Sequence, residues 1–265
     1  MALATITVSL SACELKPKAQ QKVSKQGFYF DTIIQITLYG TTDEKYIDDC
    51  FDMAKKYEDM LSNTVSYSEV SKINDAAGKE YVTVSDDTLE LIKKGIKYGD
   101  TSDGRFDITI GKLSDLWNFS EIAENTDSKD NEVDASVVPS DAQIQSELSH
   151  VNYRNIQISG NDVMLTDSKA KLDLGGIAKG FIADKMKAYL QSKTITSGII
   201  NLGGNVLTVG VKSDGSDYTV GIQKPFDESG EPICTVQIKD KSVVTSGIYE
   251  RYYRVDGKLY HHILD

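Results

Sequence analysis

Helical periodicity is confined to the earlier part of this sequence, and short β-branched runs crowd its last third. Elements segregated in that order point to an α+β fold, a single domain with a mixed or antiparallel sheet and flanking helices. From Glu44 to Leu61 the apolar positions Ile47, Phe51, Ala54, Tyr57 and Leu61 recur at three- and four-residue steps, which predicts an amphipathic helix. A second is predicted from Asp86 to about Gly99, with Leu89, Ile92 and Ile96 on one face and acidic residues at its start. Phe28–Tyr39 reads as one strand. Ser140 and Gln143 are spaced as a capping box opening a short helix, and Ser159-Gly160-Asn161-Asp162 reads as a hairpin turn between Val151–Ile158 and Val163–Thr166. Further strands are expected over Ile199–Gly210, Tyr218–Gln223, Ile233–Lys239, Tyr249–Val255 and Lys258–Leu264, the last two about an Asp256-Gly257 turn. Ser120–Ala135 carries six acidic residues and almost nothing to bury, so a mobile surface insertion is expected there.

A chain of 265 residues, 40% hydrophobic, can bury a sizeable core. Its net charge of −11 and scattered Lys and Arg residues repel phosphate backbones and argue against nucleic-acid binding. Cys13, Cys50 and Cys234 have no zinc-type spacing. Cys50 and Cys234 read as small buried residues, with a disulfide between them left open. Cys13 differs, because the uncharged stretch Met1–Ala12 ends in Leu10-Ser11-Ala12-Cys13 and gives way to Glu14, Lys16 and Lys18. That is the pattern of a lipoprotein signal and lipobox over residues 1–13, which would place a lipid on Cys13 after export and anchor the protein on the outer face of a cell membrane. Residues 14–26, polar and aperiodic, read as a tether, and the domain as residues 27–265.

The chemistry concentrates in a few segments. Leu172–Asp184, LDLGGIAKGFIAD, runs from a strand end through glycines into a helix, with Lys179 in its first turns. Free N–H groups there suit an anion, and a purely structural glycine turn explains the same residues. Its glycine spacing matches neither a dinucleotide fingerprint nor a Walker loop. Ser102–Phe119 sets the sole tryptophan, Trp117, among phenylalanines, as a ring-binding site or simply core. Thr245-Ser246-Gly247 breaks a strand at a hydroxyl-rich turn, and His261-His262 lies near the C-terminus.

Taken in order, SEVSKIN at Ser68–Asn74, GRFDITIG at Gly104–Gly111, DLGGIAKGF at Asp173–Phe181, NLGGN at Asn201–Asn205, TSG at Thr245–Gly247 and HILD at His262–Asp265 resemble the ApbE family of FAD:protein FMN transferases. The resemblance implies a transferase that takes FAD and Mg2+, moves FMN through its phosphate to a Thr or Ser hydroxyl in a motif of an acceptor flavoprotein, and releases AMP. It also implies that Phe30, Thr64, Arg105, Phe106, Asp107, Asp173, Lys179 and Leu264 line the FAD site and that Thr245 and Gly247 lie by the phosphates. The Gly176 carbonyl would then hold the metal, and His262 would be the base or hydroxyl-positioning group. The family pattern continues past the H-x-x-D motif into a segment carrying side-chain metal ligands, so the domain is expected to be incomplete at its C-terminal end. An FAD pyrophosphatase and a non-catalytic flavin-binding lipoprotein are the alternatives on the same scaffold.

Overall fold

The computed structural model describes residues 21–126, 131–227 and 229–264. Cys13 and the lipobox lie outside them. Five strands, β1 (Lys22–Tyr29), β2 (Thr32–Tyr39), β6 (Ser197–Leu202), β7 (Asn205–Gly210) and β10 (Ser242–Val244), form one sheet in the order β1-β2-β6-β7-β10. Every strand pair in it is antiparallel. A smaller sheet joins β3 (Val82–Thr83), β5 (Asp162–Leu165) and β4 (Ile156–Ser159), and two hairpins stand apart, β8 (Tyr218–Gln223) with β9 (Pro232–Ile238) and β11 (Tyr252–Val255) with β12 (Lys258–His261). The α+β expectation is met.

Two expected strands are in fact hairpins. The run Phe28–Tyr39 reverses at Phe30 and Asp31, both left-handed at φ 56° and 54°, and the run Ile199–Gly210 reverses at Gly203 and Gly204, at 60° and 86°. A two-residue turn with both φ values positive matches the strand twist, which is why two residues suffice. Continuous β-branched composition hid the first turn, since Phe-Asp is no standard turn pair. The first strand also starts earlier than Gly27: residues 22–26, expected as tether, form the outer half of β1, where Lys25 pairs with Asp48 and Glu44.

Helices cover one sheet face. On β2 the residues Ile34, Ile36 and Leu38 are fully buried at every second position, and they meet α1 (Lys45–Leu61) through Ile47, Cys50 and Ala54. The central helix α7 (Gly175–Ser192) contributes Phe181, Ile182, Met186 and Leu190 to the same core. Each such side chain is worth roughly 1.5–3 kcal/mol on burial. A polar network ties α7 to α3 (Asp86–Thr101) and α1: Lys185 bonds Asp87 at 2.8 Å and Glu90 at 3.0 Å, and the Tyr57 hydroxyl donates to Asp87 at 3.0 Å. Cys50 is buried and Cys234 exposed, and both are free thiols, so no bridge joins them.

The acidic segment after Trp117 is not a free insertion over its described part. After α4 (Gly111–Trp117), α5 (Phe119–Glu124) places Phe119 against Tyr253 with ring centroids 5.1 Å apart, and Ile122 and Val133 pack on the same cluster. Few apolar residues are needed when they all face one hairpin. The capping box at Ser140 and Gln143 is present and opens α6 (Asp141–Leu148).

Gly203 tests the turn argument. A Cβ there would lie 2.5 Å from the Thr32 Oγ1 at a φ of +60°. Gly203→Ala is therefore expected to lower stability by about 1–3 kcal/mol. Urea denaturation should show a lower midpoint with an unchanged slope, and an unchanged midpoint would contradict the strain.

Candidate active site

Three sequence motifs converge on the start of α7. Its leading segment is held in place by Asn74, the last residue of the SEVSKIN motif, on α2 (Glu69–Asp75): the side-chain amide donates to the Leu172 carbonyl at 3.1 Å and accepts the Leu172 N–H at 2.7 Å. On the other side, Asp173 N–H donates to the Ile108 carbonyl at 2.8 Å and Gly111 N–H to the Lys171 carbonyl at 2.9 Å. Asp173 Oδ1 then accepts the Gly175 N–H at 2.8 Å and so sets the first turn of the helix.

The GRFD segment lies over that turn. Phe106 is held by its N–H to Ser102 Oγ at 2.9 Å, sits edge-on to Tyr98 at 6.1 Å, and would be 3.0 Å from a Cβ at Gly176. Only glycine lets the ring approach so closely. Arg105 beside it is exposed. The Asp107 carboxylate is engaged within the fold: Oδ1 accepts the Thr109 N–H and hydroxyl at 2.8 and 2.6 Å, and Oδ2 accepts the Tyr153 N–H at 2.8 Å. Both its oxygens serve the fold, bracing the loop that carries Phe106.

Lys179 is the electrostatic centre. It is largely shielded from solvent and makes no hydrogen bond or ion pair to any described residue. Burial, and then the nearby positive charge of Arg251, depress its pKa from the usual 10.5, while Glu250 and Asp31 act the other way. A half-buried cation beside a helix amino end, with no carboxylate bonded to it, is built to receive an anion.

The same Arg251 connects His262 to this region. Its carbonyl accepts the His262 backbone N–H at 3.1 Å and faces Nδ1 at 3.2 Å. A carbonyl can only accept, so the neutral ring carries its proton on Nδ1 and leaves the Nε2 lone pair free. Burial lowers the His262 pKa below the usual 6.5. His261, by contrast, is paired with Tyr252 in the β11–β12 ladder. Thr245 is exposed just beyond β10, its carbonyl near the Gly203-Gly204 turn, and the neighbouring Gly247 is buried against the Tyr249 ring.

Other expected residues lie apart from α7. Thr64 bonds Ser62 on the α1–α2 loop, with 2.9 Å between hydroxyls. Leu264 packs with Phe119, Tyr253 and Val255. Trp117 stacks on Phe119 at 5.5 Å and belongs to that cluster, so the core reading of it holds. Phe30 sits in the β1–β2 turn with its N–H on Glu58 at 2.8 Å, and its neighbour Asp31 is the carboxylate felt by Lys179. Asn74, Asp31 and Arg251 were not singled out from sequence. Asn74 and Arg251 each had a signal, Asn74 at the end of a motif and Arg251 just after the hydroxyl-rich turn at Thr245–Gly247.

The described residues do not make a metal site by side chains. No group of three or more His, Cys, Asp and Glu side chains among them could hold an ion. Gly176 lies inside α7, where its carbonyl points along the axis toward Gly180.

The ApbE family pattern matches residues 30–265. This chain belongs to the ApbE family. An FAD:protein FMN transferase of Klebsiella pneumoniae is 36% identical over 234 residues, covering 88% of this chain and 68% of that protein. One of Treponema pallidum is 26% identical over 282 residues, covering 99% and 74%. Among solved structures, the ApbE protein of Thermotoga maritima superposes with a TM-score of 0.81 at 32% identity, covering 92% of this chain and 76% of that one. The flavin transferase ApbE of Vibrio cholerae gives 0.73 at 25%, covering 92% and 75%.

The lowered His262 pKa has a consequence for stability. Its folded value lies below the unfolded value near 6.5, so on acidification the unfolded chain takes the proton first. Stability contributed by neutral His262 is present above pH 6.5 and falls as pH drops from there toward the folded value. Thermal denaturation from pH 7.5 to 5 should show this extra loss in the native chain and not in His262→Gln. Parallel curves for the two would show that His262 titrates normally.

Proposed function

We propose that this chain is an FAD:protein FMN transferase, acting on a Thr or Ser hydroxyl of an acceptor flavoprotein. The observation that carries the reading is Lys179: a shielded, unpaired cation at the start of a long helix, within a network that also holds a histidine with a free Nε2. The pyrophosphate of FAD lies against Lys179. The acceptor oxygen attacks the FMN phosphorus, its proton passes to His262 Nε2, and the bond to the AMP oxygen breaks, so that AMP leaves. Family membership and the names of the relatives support the same reaction. Magnesium is expected from the resemblance, but the described side chains supply no ligand cluster for it.

Incubating the protein with FAD, magnesium and a threonine-bearing acceptor, then weighing the acceptor, tests the proposal. A gain equal to FMN supports transfer, release of free FMN and AMP identifies a pyrophosphatase, and unchanged FAD identifies a binding protein. His262→Ala is expected to slow transfer by about 10²–10⁴. Lys179→Ala should weaken FAD binding roughly tenfold or more while leaving the fold intact. Equal FAD affinity with and without the Lys179 amine would remove the anchor of this reading.

We propose also that the mature protein is lipid-anchored through Cys13 on the outer face of the membrane. The supporting feature is the Leu10–Cys13 pattern. Among the described residues no helix is long and apolar enough to cross a membrane. Expressed with a functional export signal, the protein should fractionate with membranes and Cys13→Ser should be released from them. Equal membrane retention of both would exclude the anchor.

A further inference from the structure

The outer face of the β1–β2 hairpin, opposite the buried side chains Ile34, Ile36 and Leu38, carries an uncovered apolar pair at one end only. On that face the register pairs Ser24 with Thr37, Gln26 with Gln35 and Phe28 with Ile33. The first two pairs suit water, and the Ser24 and Thr37 hydroxyls bond each other at 2.8 Å. At the far end of β2, Tyr39 is met by the Tyr218 ring at 6.2 Å. Phe28 and Ile33 have no comparable cover. They are 69% and 62% exposed, and Phe28 is the most exposed large apolar side chain among the described residues.

Burial on folding does not account for this pair. Outward positions of an antiparallel sheet are usually polar, as they are here two residues farther from the turn, and adjacent apolar side chains left wet invite association. What sets the pair apart is its place. The turn between its members carries Asp31, the carboxylate that acts on Lys179, and Thr32 beside Ile33 lies against the Gly203 turn. Phe28 and Ile33 are each two residues from that turn, ~7 Å of strand. They therefore stand at the end of the sheet where Lys179, Arg251 and His262 gather.

We infer that Phe28 and Ile33 are a docking surface for the acceptor protein, covered by an apolar patch next to the Thr or Ser that takes the FMN. The inference rests on the reading of the chain as a transferase acting on a protein, and names where that protein is held. Transfer forces two surfaces together: the hydroxyl has to reach a phosphorus held at Lys179, and a folded acceptor cannot bring it there without covering the rim around that point. On the β1–β2 side the rim is the Phe30-Asp31 turn, and the apolar pair continues directly from it. A few central side chains carry most of an interface's affinity, and an exposed aromatic beside an aliphatic residue supplies such a centre. A second copy of the chain docked on the pair would cover the same rim in both molecules and keep the acceptor out.

The test compares the native chain with Phe28→Gln, Ile33→Thr and the double variant, using as acceptor the threonine-bearing protein of the transfer assay. It reads the acceptor KM, kcat, FAD affinity and melting temperature separately. The double variant is expected to raise the acceptor KM about tenfold or more, with kcat at saturating acceptor, FAD affinity and melting temperature close to native. Ile33→Val keeps the apolar surface and should stay near native. Gln26→Ala and Gln35→Ala, on the same face but farther from the turn, should change none of the four readings. An unchanged acceptor KM in the double variant overturns the inference. In that case a lowered melting temperature shows that the pair only steadies the hairpin; a native dimer that becomes a monomer shows that it joins two copies; lost sedimentation with phosphatidylglycerol vesicles shows that it meets a lipid surface. FAD affinity that falls in step with the KM rise also overturns it, by placing the pair in the FAD site. Should the double variant fail to fold, Ile33→Thr alone decides. Absence of FMN transfer by the native chain itself would instead strike the transferase reading, and this inference with it.

Discussion

Two hydrogen bonds between the Asn74 amide and the Leu172 backbone join segments 98 residues apart, and the geometry around α7 depends on them. They fix the extended segment from which Asp173 turns the chain into the helix, and the helix start in turn sets Gly176 beneath Phe106 and Lys179 beside Arg251. A side-chain amide is well suited to this, since it offers a donor and an acceptor with the spacing of a peptide group. It extends a short helix, α2, into the role of a missing ladder partner. The Asp107 carboxylate does comparable work from the opposite side, and between them the loop and helix are positioned before any ligand arrives. Such preorganisation matters for phosphoryl transfer, where the protein contributes chiefly alignment and charge.

Charge is used sparingly around this helix start. The chain carries −11 overall, and many of its lysines are engaged in surface ion pairs with neighbouring carboxylates. Such pairs contribute little stability but neutralise the cation locally. Lys179 escapes that fate because its neighbours Asp31 and Glu250 act on it without bonding to it. The shielding that depresses its pKa also strengthens its attraction for a phosphate, because less water screens the interaction. An acidic surface with one shielded positive point favours a ligand that can reach into the fold over an extended polyanion that cannot.

The sequence made the fold class, α1, α3, α6, α7 and several strands readable, because their periodicity follows from facing one core. The two misread turns show where that logic fails. Phe30-Asp31 adopts left-handed backbone without a turn-forming residue, and its cause is tertiary, in the Glu58 contact and the packing of the Phe30 ring. The acidic segment failed for the opposite reason: its few apolar residues all point at one hairpin, which composition cannot reveal. At the site, DLGGIAKGF was legible as a glycine-rich entry into a helix, and α7 begins there. The loop contacts of Asp107 are visible only in three dimensions, since a carboxylate in a motif serves a ligand or a loop with equal ease.

The strand order of the main sheet also governs how the molecule comes together in time. β2 is flanked by β1, its neighbour in sequence, and by β6, with Leu38 opposite Gly198. The long intervening segment has to be synthesised before the second of these pairings is available. Until then the β1–β2 hairpin carries Ile34, Ile36 and Leu38 with one ladder edge open, and α1 and α3 lack the helix they pack on. Closing such a loop is slow and rewards the chain late, so the N-terminal half passes through a stage of uncovered apolar surface. The central helix belongs to that same intervening segment, so α1 and α3 gain their packing partner only after most of the chain has been made.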